Sequence, residues 1–215
     1  MSIRIKTIAE FIPPYRNIAD VGCDHGYLIL EAFEKYHIIH AQAIDNKQGP
    51  LQNAMKNLQK YQSQVTFTLS NGLQDLEPEN EVVIIAGMGG MLIIKILSEN
   101  LERLENVKRI IIQANRDLDK IRQFALNNHF QIVSEKIIDE ESIFYEIIVL
   151  EKGSSNYTKA DLMFGPCLLK EKSPLFMKKW TKEYQKLSSI QSAEAQAKAK
   201  FIKDVLQLEV PNENK

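Results

Sequence analysis

Short apolar segments of strand length alternate with longer segments of helical periodicity through the first two thirds of the chain. Five strands are predicted here, and helices follow the first, second, fourth and fifth of them. The predicted strands are residues 18–22, 41–45, 66–69, 82–86 and 109–113. Strands and helices that alternate in this way form a parallel sheet with helices on both faces. The sequence therefore predicts an α/β fold.

The pattern changes after the fifth strand and its helix. Residues 130–138 and 143–150 are predicted as two more strands, with only a short acidic turn at 139–141 between them. So short a connection can join only antiparallel neighbours. We therefore expect a wound parallel sheet that closes with an antiparallel hairpin.

The last part of the chain has a different periodicity. A polar stretch at 153–156 precedes it, so we predict one domain over residues 1–153 and a helical, coiled-coil-like domain over 154–215. Helical spacing is kept by Met177, Trp180, Tyr184 and Leu187. The spacing lapses between 188 and 194, which favours two antiparallel helices over one long helix. Aromatic residues with this periodicity usually pack in a core rather than contact nucleic acid.

Charge is distributed unevenly, although the net charge is only −1. Residues 1–152 carry 16 Lys and Arg against 21 Asp and Glu, whereas residues 153–215 carry 11 Lys against 7 acids. A basic tail of this kind favours a polyanionic partner. A solvated, lysine-rich helix surface is the simpler alternative.

The composition predicts a cytoplasmic protein that binds neither a membrane nor a metal. Its longest apolar stretch, 82–94, contains three glycines and is too short to cross a bilayer. The first residues lack the apolar core of a signal peptide. Two cysteines, Cys23 and Cys167, form neither a disulfide framework nor a metal-ligand set by their spacing.

A loop of glycines and carboxylates follows the first predicted strand. Ligands of wound parallel sheets bind beyond the carboxyl ends of the strands, near the point where strand order reverses. This loop, DVGCDHG at 20–26, lacks the GxGxxG pattern, and Asp24 lies between its two glycines. The extra carboxylate suits a ligand with an ammonium and a sulfonium better than a pyrophosphate, although it can also bond ribose. The loop therefore favours S-adenosylmethionine over NAD.

Three further strand-ending loops carry candidate ligand groups. Asp45 can accept hydrogen bonds from both ribose hydroxyls. Asn71 can pair with an adenine edge, or it can simply form an Asn-Gly turn. Glycines at 87–90 allow close approach of a ligand, and a plain strand-to-helix turn is the alternative. The predicted cofactor-binding residues are Asp20, Gly22, Cys23, Asp24, His25, Asp45, Asn46, Asn71, Gly72, Gly87, Met88 and Gly89.

These motifs resemble those of the bacterial TrmK methyltransferases, which methylate ring nitrogen N(1) of adenosine at position 22 of tRNA. The similar segments run in order and include ADVGCDHGYL (19–28), IAGMGG (85–90) and FGPCLLKEKSPLFMKKW (164–180). The resemblance implies a Rossmann-like fold, S-adenosylmethionine as cofactor, a coiled-coil-like C-terminal domain and tRNA as partner. The chain departs from the usual family residues at Cys23 and Gly26, and QAN at 113–115 replaces the usual QPN.

Methylation of adenine N(1) requires placement more than proton transfer. N(1) is a neutral nucleophile with a free lone pair, and its methylated product is a cation. Acceptors for the exocyclic amine and a carboxylate near the growing positive charge would therefore help. Our catalytic candidates are Asp24, Gln113 and Asn115, with His25 next. A histidine in this loop can equally serve to orient the loop by hydrogen bonding.

Lysines of the basic tail form the predicted phosphate-binding surface. The candidates are Lys170, Lys172, Lys178, Lys179, Lys182 and Lys186, with Arg4, Lys6 and Arg16 extending the surface from the N-terminal side. Because N(1) can be engaged in pairing, we expect the target nucleotide to be exposed or flipped. We further expect a monomer.

Other functions remain open on the residues alone. A methyltransferase acting on another RNA or on a small molecule is one alternative. A cofactor- or RNA-binding module without catalysis is a second, favoured only by the altered QAN segment. An NAD-dependent dehydrogenase is disfavoured by the missing GxGxxG and by the terminal hairpin.

Overall fold

A computed structural model of the chain describes residues 1–208, in which seven strands form one sheet. The strands are β1 (Asn17–Val21), β2 (His40–Asp45), β3 (Val65–Leu69), β4 (Val82–Met88), β5 (Arg109–Ala114), β6 (Phe130–Glu140) and β7 (Ile143–Lys152). Their order is β3-β2-β1-β4-β5-β7-β6. The first five strands are parallel, and β7 lies antiparallel to both β5 and β6. The predicted wound sheet with its closing hairpin is confirmed.

Helices cover both faces of the sheet. They are α1 (Ile3–Ala9), α2 (Tyr27–Lys35), α3 (Gln48–Asn57), α4 (Gly90–Ser98) and α5 (Leu118–Asn127). The helix predicted after the second strand ends at Asn57 and is followed by a 3₁₀ segment, Gln59–Gln64. Tyr61 itself has non-helical dihedral angles there, and its ring stacks on Phe33 of α2.

Two apolar cores cover the two faces of the sheet. Ile110 and Ile112 of β5 pack in the core that contains α4 and α5, whereas Ile111 packs in the core that contains α1, α2 and α3. Successive side chains of a strand point to opposite faces, so a continuous apolar run such as this one serves both cores. A strand that is buried on both sides explains why the sequence shows no polar alternation here.

Four helices form the C-terminal part of the described chain: α6 (Lys159–Phe164), α7 (Pro166–Glu171), α8 (Pro174–Ser188) and α9 (Ala193–Leu206). Residues 189–192 separate α8 from α9, and these two helices pack against each other. The two-helix interpretation is therefore confirmed, and the single long helix is wrong. Helices α6 and α7 were not predicted, because six-residue helices are too short to show a periodicity.

The C-terminal helices share a third apolar core with the sheet edge. Phe164, Phe176, Trp180 and Ile202 are buried there together with Ile137 of β6. Trp180 is thus a packing residue, as its periodicity indicated. The domain boundary between 153 and 154 stays a prediction. The last residues of the predicted helical domain, 209–215, lie outside the described range.

A buried ionic network also fastens these helices to the sheet. The guanidinium of Arg122, on α5, pairs with Glu135 of β6 at 2.8 Å and with Glu146 of β7 at 2.5 Å. Lys179 of α8 forms an ion pair with the same Glu146. Although burial by itself raises the pKa of Glu146, Arg122 and Lys179 hold that pKa below its usual value.

Candidate functional site

The loops at the carboxyl edge of the sheet enclose a cleft of about 620 Å³. It lies where the strand order reverses, between β1 and β4, which is the expected ligand position in such a sheet. Eleven of the predicted cofactor residues line it: Asp20, Gly22, Cys23, Asp24, His25, Asp45, Asn46, Asn71, Gly72, Gly87 and Met88. Gly89 is not among the lining residues. That these residues contact a cofactor stays a prediction.

The loop after β1 is held tightly against its neighbours. The backbone N–H groups of Gly22 and Cys23 both donate to the carbonyl of Ile44, at 2.8 and 3.1 Å. Gly22 has a φ of +77°, and a Cβ added to it would lie 2.2 Å from the terminal methyl of Met88. Gly22 therefore meets two requirements, a left-handed backbone and close approach of the β4 loop.

Three carboxyl groups of the cleft have no Lys or Arg partner in the part of the chain that the structure describes. Asp20 is almost fully buried, and burial together with the nearby Asp45 and Asp24 raises its pKa to about 7. Within residues 1–208, none of the three forms an ion pair with Lys or Arg; Asp24 lies 3.6 Å from His25, and Asp45 accepts a backbone N–H at 3.0 Å. An uncompensated acidic cluster of this kind fits a positively charged ligand.

One buried hydroxyl in the cleft wall also lacks a partner. The Oγ of Ser70 makes no hydrogen bond within the described residues, although the residue is only 6% exposed and lines the cleft. Its backbone N–H donates to the carbonyl of Asp45 at 3.0 Å, which places it beside the predicted ribose carboxylate. Buried polar groups normally find a partner. Sequence reasoning considered Asn71 in this segment and missed Ser70.

Gly87 forms the opposite wall through an irregularity in β4. The pairing of β4 with β5 shifts between Ala86 and Met88, so Gly87 bulges out of the ladder. Its φ is +78°, and a Cβ added to it would meet no atom within 4 Å. The bulge thus presents bare backbone to open space on the cleft side. The residues of the cleft fit S-adenosylmethionine in three respects. They supply carboxyl groups without Lys or Arg partners among the described residues, the Ser70 hydroxyl without a hydrogen bond, and the open backbone of Gly87.

Two side-chain amides replace the ladder bonds that Gly87 has lost. The Oε1 of Gln113 accepts the N–H of Gly87 at 3.2 Å, and the Nδ2 of Asn115 donates to its carbonyl at 2.9 Å. The Nε2 of Gln113 donates to the Oδ1 of Asn115 at 3.2 Å. Because Gln113 is fully buried, the structure favours a positioning role for it, and its direct contact with substrate stays a prediction. Asn115 is exposed, and its contact with substrate stays a prediction.

Arg116 is an exposed residue that sequence reasoning missed, and it lies beside Gly89, which directly follows the cleft residue Met88. Its side chain is 78% exposed and lies over Gly89, whose added Cβ would be 3.3 Å from the Arg116 Nε. The Arg116 carbonyl accepts the N–H of Gly90 at 3.2 Å, which fixes its backbone to the start of α4. The signal that could have revealed it is a cation placed directly after strand-ending amides.

Two aromatic rings stand together at the mouth of the cleft. His25 stacks on Tyr27 with ring centroids 5.5 Å apart, and Tyr27 is 44% exposed. Tyr27 was not predicted as a site residue, although it lines the cleft as the first residue of α2. Both proposed roles of His25, orienting the loop and touching the substrate, remain compatible with this position.

The predicted phosphate-binding lysines divide into two groups. Lys178, Lys182 and Lys186 are exposed on α8 at intervals of four residues, which places them on one face. Lys170 and Lys172 are also exposed, at the end of α7. Lys179 differs, because its side chain is only 20% exposed and its Nζ pairs with buried Glu146. Its assignment to a phosphate-binding surface is therefore corrected to a structural role.

The two predicted arginines lie at opposite edges of the sheet. Arg4 lines the cleft, and its guanidinium lies over the ring of Tyr145 at 4.9 Å. Lys6, in the same helix, is exposed. Arg16 immediately precedes β1 at the amino edge, where its Nε donates to the carbonyl of His37 at 3.3 Å. That Arg16 extends the phosphate-binding surface of the tail lysines stays a prediction.

Neither a metal site nor a membrane span is found within residues 1–208. This part of the chain contains no group of three or more His, Cys, Asp or Glu side chains arranged to hold a metal ion. No helix in the same range is long and apolar enough to cross a membrane. Both cysteines are free thiols, and Cys23 is buried in the cleft wall, where burial raises its pKa.

Comparison with known proteins gives consistent matches along the chain. Residues 18–213 match the model of the TrmK family, described as tRNA (adenine(22)-N(1))-methyltransferase. A protein of Bacillus subtilis (strain 168) with that same description is 33% identical over 206 residues, covering 92% of this chain and 87% of the relative.

Solved structures with the same fold include two that contain cofactor molecules. Sp1610 of Streptococcus pneumoniae, assigned as a tRNA (m1A22) methyltransferase, was solved with S-adenosyl-L-methionine; it is 40% identical with a TM-score of 0.91, covering 96% of this chain and 99% of that one. TrmK of M. capricolum, solved with S-adenosyl-homocysteine, is 26% identical with a TM-score of 0.86, covering 96% and 98%.

Proposed function

The chain belongs to the TrmK family of tRNA (adenine(22)-N(1))-methyltransferases, and we propose that it methylates N(1) of adenosine 22 in tRNA with S-adenosylmethionine as methyl donor. One observation carries the proposal: the family match coincides with a cleft in which three carboxyl groups form no ion pair with Lys or Arg of residues 1–208. A sulfonium cofactor supplies the missing positive charge.

The cleft residues divide the work of holding this cofactor. Asp45 bonds the ribose hydroxyls, with Ser70 beside it, and Asn71 pairs with the adenine edge. Asp20 and Asp24 face the cationic end, and Gly87 allows that end to approach the backbone closely. When bound, S-adenosylmethionine supplies an electrophilic methyl carbon attached to a positively charged sulfur.

On the substrate side, this chain's residues place the base and stabilise charge. The lone pair of N(1) needs no base to free it, so orientation supplies much of the rate enhancement. The Oδ1 of Asn115 already accepts one hydrogen bond, and its second lone pair is available to the exocyclic amine of adenine. Asp24, whose side chain is 71% exposed, stabilises the positive charge that develops on the ring.

The target base reaches the cleft as an extruded nucleotide. Tyr27 and His25 offer a stacking face at the cleft mouth, which compensates for the stacking lost on extrusion. Arg4, which lines the cleft, and the exposed Arg116 are the cations for phosphates near the target nucleotide. The exposed lysines of α8 continue this positive surface away from the sheet, and a monomer is sufficient for all of these contacts.

Transfer of a labelled methyl group from S-adenosylmethionine to unmodified tRNA tests the proposal. We expect the label in 1-methyladenosine, identified by mass spectrometry, and we expect none in a matched tRNA with guanosine at position 22. Label in another nucleoside would reject the assigned position. Cofactor binding without transfer to any tRNA would instead favour a module that lacks catalysis.

A further inference from the structure

A second cavity, of about 650 Å³, lies between the start of α5 and the C-terminal helices α6, α8 and α9. It shares no lining residue with the cofactor cleft. Leu118 and Lys120 of α5 form one wall, and Lys159 of α6, Trp180 of α8 and Lys198 of α9 are among the residues that complete it. We refer to this cavity as the interhelix groove.

The charge of the interhelix groove is opposite in sign to that of the whole chain. Four lysines line it, against two acids, Asp119 and Glu194. One of the four, Lys179, is neutralised by Glu146. Lys120 pairs with Asp119 at 3.9 Å, which leaves exposed Lys159 and Lys198 against Glu194. The lining therefore keeps a net positive charge, while the chain as a whole carries −1.

Apolar and aromatic surface lies beside these cations. The Nζ of Lys159 stands 4.9 Å from the ring centroid of Phe201, and Leu162 and Met163 belong to the same lining. Cations beside aromatic and apolar side chains are the combination that binds single-stranded RNA, because phosphates and base faces are satisfied together. A groove that binds a folded protein would have fewer charged residues at its centre than this one has.

The interhelix groove is also close to the substrate side of the cleft. Helix α5 starts directly after Asn115 and Arg116, and its first-turn residues Leu118 and Lys120 are groove residues. The N–H of Asn115 donates to the carbonyl of Met88, a residue of the cleft wall, at 2.8 Å, so Arg116 lies in the short segment between the cleft wall and the near end of the groove. An RNA strand that leaves the cleft over Arg116 meets the groove next.

From these observations we infer that the interhelix groove binds an unpaired stretch of the tRNA substrate, with Lys159 and Lys198 on its phosphates. The inference rests on the tRNA methylation proposed above and extends it to a second RNA-binding site. This site is separate from the lysine face of α8. The groove contains Lys120, Lys159 and Lys198, none of which lies on α8.

Paired charge reversals test the inference in the full-length protein. The variant Lys159→Glu/Lys198→Glu changes the groove, whereas Lys200→Glu/Lys203→Glu makes the same charge change at exposed positions of α9 outside it. We expect the groove variant to weaken tRNA binding by at least about tenfold at moderate salt, and the control by no more than about twofold. Circular dichroism and the affinity for S-adenosylmethionine should match wild type in both variants.

Hydroxyl-radical footprinting of bound tRNA then locates the contact. The groove variant should lose protection over one contiguous unpaired stretch while protection around adenosine 22 persists. If wild type binds and methylates tRNA but the two variants weaken binding equally, the inference about the groove is wrong and the proposed function stands. If wild type neither binds nor methylates tRNA, the proposed function fails, and the inference falls with it.

Discussion

The side-chain oxygen of Gln113 accepts a hydrogen bond from the backbone N–H of Gly87 at 3.2 Å, across the strands β5 and β4. This bond replaces one that the β-bulge at Gly87 has removed from the ladder. The shape of the cleft wall therefore depends on a residue that does not line the cleft.

Substituting Gln113 should impair turnover through Gly87. In Gln113→Ala the N–H of Gly87 loses its partner, at a cost of about 1–3 kcal/mol in stability, and Asn115 loses its own support. We expect kcat to fall by about tenfold or more, while the KM for tRNA changes little. Steady-state kinetics on tRNA measures this. The exposed Gln74→Ala serves as control, and equal effects of the two substitutions would contradict the positioning role.

A side chain introduced at position 22 should clash with Met88, and this clash should be measurable as an energetic coupling between the two positions. Gly22→Ala places a methyl group 2.2 Å from the end of Met88 and adds left-handed strain of about 1–2 kcal/mol. In a Met88→Ala background the strain remains but the overlap is gone. Urea unfolding should therefore show a smaller cost of Gly22→Ala in that background.

The matched control for this cycle is Gly72→Ala. Gly72 also has a positive φ, +67°, but its added Cβ would contact Ile96 instead. Its cost should be the same with either residue at position 88. If Gly22→Ala lowers the free energy of unfolding equally with Met or Ala at position 88, the Met88 side chain moves aside without cost and the predicted coupling is absent.

The stability of the ligand-free protein should decrease as Asp20 ionises. The pKa of Asp20 is raised from 3.8 to about 7, so the folded state holds a proton that the unfolded state has released between those values. Its contribution to stability is complete at low pH and is lost as pH rises through about 7. Asp20→Asn removes this dependence, and its advantage over wild type should reach at most about 4 kcal/mol at pH 8.

Urea titrations at pH 5 and pH 8 measure this difference. A cationic cofactor favours ionised Asp20, so affinity for S-adenosylmethionine should rise with pH over the same interval in wild type and less so in Asp20→Asn. Parallel pH profiles of stability in the two proteins would contradict the assignment of the raised pKa to Asp20.

Lys179 should differ from the exposed lysines of α8 in its effects on tRNA binding and on folding stability. Replacing Lys178, Lys182 and Lys186 by Ala should weaken tRNA binding and lower its salt dependence by about one unit of slope per lost phosphate contact. Lys179→Ala should leave that slope unchanged and reduce folding stability, because it removes a partner of buried Glu146. Filter binding across salt concentrations separates the two results, and a slope change in Lys179→Ala would restore that residue to the RNA surface.

Removing Arg122 should loosen the C-terminal helices. Arg122→Met leaves Glu135 and Glu146 buried with only Lys179 to balance them, which should cost about 3–5 kcal/mol. The variant Arg122→Met/Glu135→Gln/Glu146→Gln removes the stranded charges and should recover part of that loss. Denaturant unfolding measures both variants, and no recovery would mean that the hydrogen bonds of Arg122 to the carbonyls of Leu162 and Met163 matter more.

Local periodicity in the sequence determined most of the fold. The runs that form β4 and β5, such as Val82 to Ile85, are apolar on both faces, and only a covered parallel sheet buries both. Once the sheet is parallel, its strand ends meet at one edge, which is why Asp20, Asp45 and Asn71 could be placed in one cleft from sequence. The placement of these three residues follows from chain order and sheet topology alone.

Tertiary contacts decided what local pattern leaves open. Lys178 and Lys179 are neighbours in sequence, yet Lys178 is exposed and pairs with Asp139 at 3.2 Å, whereas Lys179 meets buried Glu146, 33 residues away. Successive helix positions face different surroundings. The bond of the Gln113 amide to the bulged backbone at Gly87 has no signal in the sequence, because it depends on the pairing of β4 with β5. Periodicity specifies which face of an element is buried. The partner across that face is specified only when distant segments pack, and so the roles of these residues depend on the folded structure.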